Sequence, residues 1–263
     1  MIHGQIKPLF NTPINWGHPL AQGLVASYLM NEGMGDLVHD SYGMNDGRTS
    51  GMAPMSPTSG WVPGPHGAAL AFDGSNDTVT IPDFLEVGNN GTELTALVWC
   101  KCITPQNGTW ALLHIGGAGN RAWGIYFPGG DGFGVRLYTD GAAIAKDYTK
   151  AGTHPAGLWR FTGMVFNAGL LSLYLDGAVI TPSKNTDNAC PSIYNSTAAL
   201  AIGSSTANIM VSSVSIYNRA LSAEEIAYLY AFPWCMYDRP ASAWEYNQQN
   251  RNFDHYYRRL MAA

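Results

Sequence analysis

From residue 67 onward, apolar and polar positions alternate in short runs, each closed by glycine, aspartate or asparagine. AALAF leads through DGSND into TVTI, and ELTALVWCKCI, TWALLHIGG, RAWGIYF, GFGVRLYT and AAIAKDYT follow, separated by Gly-Gly, Asp-Gly or Gly-Asn. WRFTGMVF and LLSLYLDGAVI are joined by Asn-Ala-Gly, a hairpin cue, and AALAIGSS and IMVSSVSIY complete the series. A period of two predicts strands. With no helical period between them, the pattern predicts an all-β antiparallel sandwich or jelly roll rather than parallel β/α units. Upstream, GLVASYLM (23–30) reads as the first strand and 31–51 as a turn-rich loop. The stretch 52–66, with Pro54, Pro57, Pro63 and Pro65, reads as irregular, and 1–22 as an extended, proline-punctuated lead-in.

The pattern changes at SIYNRALSAEEIAYLYAFP (215–233). Asn218 to Leu221 turn the chain out of its closing strand. Ser222 is suited to cap a helix, Glu225 completes a capping box, and Glu224 is favourable near the helix N-terminus. Ile226, Leu229 and Tyr230 fall at i, i+3 and i+4, one apolar stripe to lay on a sandwich, and Pro233 ends the run. Beyond the helix, Trp234, Trp244, Tyr246, Phe253, Tyr256 and Tyr257 are mixed with Arg258 and Arg259. Aromatics and arginine are enriched at protein contacts. They predict a segment that packs, either onto its own sandwich or onto a neighbouring subunit. The expected organisation is an N-terminal arm (1–22), a jelly-roll domain (23–231) and a C-terminal aromatic and basic arm (232–263).

Composition removes several function classes. The net charge of −5 and the absence of a basic stripe argue against nucleic acid as a partner. No run of about 18 apolar residues offers a membrane span. The opening MIHGQIKPLFNTPINWGHPL lacks the uninterrupted apolar core of a secretory signal, so synthesis and folding in a cytoplasm are expected. Four cysteines without a CxxC or zinc spacing fit reduced thiols, with Cys100 and Cys102 on one strand face.

Four stretches carry a resemblance to a known family. HPLAQGLVASYLMNEGMGDLVHDSYGMNDG (18–47) resembles the opening of laminin-G-like, concanavalin A-like jelly-roll domains. GAALAFDGSNDTVTI (67–81) is similar to their strand–turn–strand signature, and LWRFTGMVFNAGLLSLYLDGAVI (158–180) to their Trp-led strand and its partner ending in Asp-Gly. VSIYNRALSAEEIAYLY (214–230) resembles their closing strand and helix. The HPLAQGLV opening and the YAFPWCMYDRP run resemble stand-alone members encoded by bacteriophages. Family members often carry a structural calcium, held partly by acidic residues just before the closing strand. Here Ser212 and Ser213 stand where carboxylates would be expected, which counts against the ion. Glu32, Asp40, Asp46 and Asp73 are the residues that could still contribute to one. No other cofactor is implied.

Glycoside hydrolases of this fold need two carboxyls flanking the scissile bond. The E-x-D-x-E pattern that commonly presents them is missing. Asp46, Asp73, Asp131, Asp140 and Asp176 each precede a glycine and read as turn formers. No histidine pair has the spacing of a zinc protease, and His114 reads as a packing residue. GGAGNRAWG lacks the Lys-Ser/Thr of a phosphate loop and reads as a hairpin turn. Alternation sets Arg136 and Tyr138 opposite Val135 and Leu137. It also sets Trp123, Ile125 and Phe127 opposite Tyr126. An exposed aromatic beside an arginine would suit a sugar ring or a partner chain, which makes Trp123, Tyr126, Arg136 and Tyr138 the binding candidates. The function expected is a non-enzymatic bacteriophage virion protein, most of all a capsid decoration protein, assembled with other virion proteins on a lattice or as a homo-oligomer. The alternatives are a carbohydrate-binding or adhesion module of a tail or head fibre, directed at cell-surface glycans, and then a glycan-cleaving enzyme of the same fold.

Overall fold

The computed structural model describes residues 7–53, 56–82, 91–104, 109–117, 119–204, 206 and 208–238. The early strands are β1 (Leu24–Tyr28), β2 (Leu37–Val38), β3 (Gly47–Ser50), β4 (Gly60–Gly64), β5 (Gly67–Asp73) and β6 (Thr78–Ile81). The middle ones are β7 (Glu93–Cys102), β8 (Thr109–Ile115), β9 (Trp123–Phe127), β10 (Phe133–Tyr138), β11 (Ile144–Lys150) and β12 (Trp159–Asn167). The chain closes with β13 (Leu170–Leu175), β14 (Ala178–Ile180), β15 (Ser183–Asp187), β16 (Leu200–Ile202), β17 (Asn208–Tyr217) and helix α1 (Ala223–Ala231). No helix among the described residues is long and apolar enough to cross a membrane.

The strands form two antiparallel sheets. One has the order β14-β13-β12-β7-β17-β5-β4, with β1 also pairing β17, and the other runs β15-β11-β10-β9-β8-β16-β6-β3-β2. The expected all-β sandwich with one short helix after its closing strand is what the chain forms. The core lies between the sheets, where Phe72, Leu94, Val98, Met164 and Phe166 meet Val79, Ile115, Trp123, Ile125, Val135 and Leu137. Cys100 and Cys102 share this interior face, and burial pushes the Cys102 thiol up to about 12.

The eight-stranded sheet is apolar on both faces. Leu97, Trp99, Phe161 and Val165 point away from the core and are covered by Ile226, Tyr228 and Leu229 of α1. The helix starts as the sequence reading expects. The Ser222 hydroxyl accepts from Glu225 N–H, and the Glu225 carboxylate accepts from Ser222 N–H. Arg219 then grips the same carboxylate with two N–H groups at 2.9 and 2.8 Å.

Both flanking segments join this cover. Ile14 and Leu20 pack in the same cluster as Trp234, Met236 and Tyr237. Ile14 bridges Tyr237, and Asp238 N–H donates to Pro13. Two upstream expectations are corrected. The 31–51 loop contains β2 and β3, and the proline-rich 52–66 stretch contains β4. Pro63 is tolerated because β4 is an edge strand, so its missing N–H breaks no interior ladder.

Strand β17 changes partner halfway along one edge. Asn208–Val211 pair with β5 and Val214–Tyr217 with β1, while β7 runs along the other edge. Against β7, Val211 faces Cys100 and Ser213 faces Trp99, so Ser212 is an inserted residue. The insertion keeps Ile209 and Val211, then Val214 and Ile216, all on the core side.

Candidate functional site

The outward face of the nine-stranded sheet carries the concentrated polar chemistry. Cross-strand register lays Ala201, His114, Gly124, Arg136 and Asp147 in one row over five strands. Small neighbours on either side let the His114 ring settle into the sheet surface. Burial there lowers its pKa to about 4, leaving it neutral at neutral pH.

Beside that row, Tyr126 opposes Gly134 and Gly134 opposes Thr149. A Cβ on Gly134 would stand 2.9 Å from both Tyr126 Cε1 and Thr149 Cγ2. Glycine therefore lets the Tyr126 ring lie across β10 and reach Asp147 on β11. The phenol donates to Asp147 Oδ1 at 2.6 Å, and Arg136 Nε donates to Oδ2 at 3.1 Å. The guanidinium carbon of Arg136 sits 4.4 Å from the Tyr126 ring centroid, a cation–π stack. Burial, then the bond to Asp147, raises the Tyr126 pKa. These groups form a rigid, internally paired platform.

At the end of the sheet nearest the β8–β9 connection lies a depression of about 160 Å³, lined by His114, Ile115, Gly116, Gly117, Arg121, Trp123 and Tyr138. Its rim is held in place by hydrogen bonds from several segments. Arg121 N–H donates to Gly141, and Tyr138 both donates to Ala122 and accepts from Tyr194 along the main chain. The Ser196 hydroxyl donates to the Asn120 carbonyl at 2.7 Å. Gly116 is required here, since at φ +113 an added Cβ would stand 2.1 Å from the Asn120 carbonyl oxygen. The Arg121 guanidinium carbon is 5.8 Å from the Tyr138 ring centroid.

The four binding candidates fall on the faces that alternation assigned them, yet none of the three aromatics is exposed. Trp123 is 0% exposed within the sandwich core, Tyr138 1% and Tyr126 3%. Trp123 opens β9 on its inward side, the Tyr126 ring is covered by Arg136, and Tyr138 lies beside Arg121. Trp123 and Tyr138 line the depression, while Tyr126 and Arg136 belong to the platform. Arg121 and His114 share that lining with Ile115, Gly116 and Gly117, and the sequence reading passed over Arg121. Its only signal was its place in the glycine-rich turn, two residues before Trp123. Leu112 and Leu113 are both in the core because a register irregularity in β8 interrupts strict alternation.

The calcium candidates do not assemble. Both oxygens of Asp40 are occupied by N–H groups, Oδ1 by Ser27 and Tyr42 and Oδ2 by Met44 and Asn45. Glu32 accepts from His39 N–H, Asp46 from Asp40 N–H, and Asp73 caps the separate turn after β5 through Ser75 N–H. Ser212 and Ser213 lie inside the closing strand rather than before it. Among the described residues, no group of three or more His, Cys, Asp or Glu side chains could hold a metal ion. These residues do not fit the ion. Of the assembly candidates, Trp234 is buried against its own domain, 3% exposed and edge-on to His66 at 5.8 Å. Trp244, Tyr246, Phe253, Tyr256, Tyr257, Arg258 and Arg259 lie outside the described residues.

Among solved structures the chain is similar to the Trypanosoma rangeli sialidase in complex with sialic acid, at 19% identity and a TM-score of 0.59 over 81% of this chain and 33% of that one. It is also similar to the binding domain of botulinum neurotoxin serotype D, at 12% identity and a TM-score of 0.58 over 81% of this chain and 51% of that one. The chain thus spans about a third to a half of these relatives' lengths, and the likeness is one of fold. No curated protein matches it by sequence. The model of the concanavalin A-like lectin/glucanases superfamily matches residues 73–227, more than half of the chain, and the protein belongs to that family.

Proposed function

We propose that the protein is a carbohydrate-binding module that acts without catalysis. The observation that carries this reading is the depression beside the Tyr126–Arg136–Asp147 platform. It is lined by aromatic rings and donor groups on a hydrogen-bonded frame, with no carboxylate among its lining residues. Sugar sites need flat apolar surface and preset polar partners, whereas glycoside cleavage needs a carboxyl pair. Asp147, the acid of the platform, is committed to Tyr126 and Arg136. A glycan array should give saturable binding that weakens when His114 or Tyr138 is replaced by alanine. Incubation with the glycans that bind should release no new reducing ends. New reducing ends would replace this reading with an enzymatic one.

The finer reading is that the module is carried on a bacteriophage virion, most of all as a capsid decoration protein and alternatively in a head or tail fibre. Its support is the phage-like opening and closing runs of the sequence, together with an apolar surface where the N-terminal segment meets the 31–46 stretch. Leu9, Phe10, Trp16, Met34 and Met44 are exposed there. Phe10 and Trp16 bring this surface together by ring contacts with His39 and Tyr42. Exposed apolar groups gathered in one region suit attachment to other subunits. Co-sedimentation with particles and mass spectrometry of purified virions test it, and absence from particles ends it.

A further inference from the structure

Five arginines are among the described residues, and four are paired with carboxylates. Arg48 meets Asp36 at 2.8 Å, Arg136 meets Asp147 at 3.1 Å, Arg160 meets Asp176 at 2.5 Å, and Arg219 meets Glu225 at 2.8 Å. Arg121 forms no ion pair with a described carboxylate, and it is the one that lines the depression. No acid shares that lining. Asp140, in the loop after Tyr138, already accepts from the N–H groups of Ala142 and Ala143.

The rest of the lining also favours an acceptor. The indole N–H of Trp123 is buried and meets no hydrogen-bond partner among the described residues. His114 contributes no charge of its own at neutral pH. A guanidinium lying against the Tyr138 ring, in a lining shared with Ile115, is screened less than one in open water, so pairing there is stronger than at a surface. Its planar fork matches a carboxylate or sulfate with two parallel hydrogen bonds. The depression is small, about 160 Å³.

We infer that the depression selects an acidic sugar, its carboxylate or sulfate group held by Arg121. This rests on the carbohydrate-binding reading above and names the class of sugar.

The test is calorimetric titration of the full chain with three probes: a short oligogalacturonate, its carboxyl-reduced neutral counterpart, and a sulfated oligosaccharide of similar length. At least one acidic probe should bind saturably and the neutral one at least about ten-fold more weakly, the worth of one charge-assisted pair. Which acidic probe binds distinguishes carboxylate from sulfate. Arg121→Gln should weaken that binding by a similar factor, and Arg121→Lys by less. Arg48→Gln, on a distant strand, should leave it unchanged. An unaltered melting curve for Arg121→Gln shows that the loss is local, and if that variant fails to fold, the lysine variant and the probe comparison decide. Equal binding of neutral and acidic probes, or binding indifferent to Arg121→Gln, overturns the inference and leaves the carbohydrate reading standing. If none of the three probes binds, this inference falls, and the glycan array decides the broader reading separately.

Discussion

The ammonium of Lys7 donates to the carbonyl of Ser212 at 2.6 Å, at the point where β17 changes partner from β5 to β1. It also reaches the carbonyls of Met30, just after β1, and Ala68, on β5. A strand that switches neighbours leaves main-chain acceptors with no ladder partner, and one buried side chain from the N-terminal segment satisfies three of them. Replacing Lys7 by methionine keeps the apolar stem and removes the donors. The expected cost is about 1–3 kcal/mol of unfolding free energy, read from denaturant midpoints.

The same lysine carries a pH signature. Burial lowers its pKa from 10.5 to about 7, against an opposing pull from Glu32. Between those two values the unfolded chain binds more protons than the folded one, so this group makes stability rise with pH. The gain is complete near pH 10.5 and lost as pH falls to about 7. Urea midpoints measured between pH 7 and 10 should show a rise that is smaller in Lys7→Met.

Acid should act through three histidines. Burial lowers His114 and His66 to about 4 and His154 to about 3, with the Lys7 charge adding to the effect at His66 and the Arg160 charge at His154. Each is neutral in the folded chain where the unfolded chain would protonate it. Their stabilising contribution is whole above pH 6.5 and lost progressively as pH falls toward 4 and below. His154 packs between Phe127 and Phe133 at ring distances of 5.3 and 5.2 Å. The substitution His154→Phe should therefore shallow the acid slope.

Gly134 holds the platform open. Gly134→Ala should cost about 1–3 kcal/mol, the range for overpacking, by driving the Tyr126 ring off β10. Adding Tyr126→Ala in the same chain should relieve that clash. The double variant should then be more stable than the two single losses summed, as a double-mutant cycle would show.

Trp234 distinguishes an internal from an assembly role. Buried among Leu97, Trp99 and Met236, it should cost about 3–5 kcal/mol on truncation to alanine, with a lower melting temperature. An unchanged melting curve together with a changed oligomeric state would instead assign it to assembly. At the helix, Ser222→Ala should remove about 1 kcal/mol, because it breaks one half of the capping box.

Local rules were legible because they are written in neighbouring residues. The Asn167-Ala168-Gly169 hairpin places Ala168 at φ +45 and Gly169 at φ +93, and the Asp176-Gly177 turn places its pair at φ +49 and +83. The strand alternation, the two cysteines on one face and the Ser222–Glu225 cap follow from equally short-range chemistry. The inserted Ser212 was not legible, because an extra residue in a strand is recognised only against the partner it fails to match.

The sequence alone determined that this chain makes an antiparallel sandwich closed by one capped helix, and which side chains share each strand face. Tertiary structure decided what those faces meet. It buried Trp123, Tyr126 and Tyr138, the aromatics offered for binding, and set Asp73 on a turn of its own while Asp40 and Asp46 stayed neighbours. It also placed Arg121 in a depression without a carboxylate while the other described arginines found one. Exposure and charge pairing depend on strands brought together from distant parts of the chain, and period-two patterning specifies a face but not its neighbour.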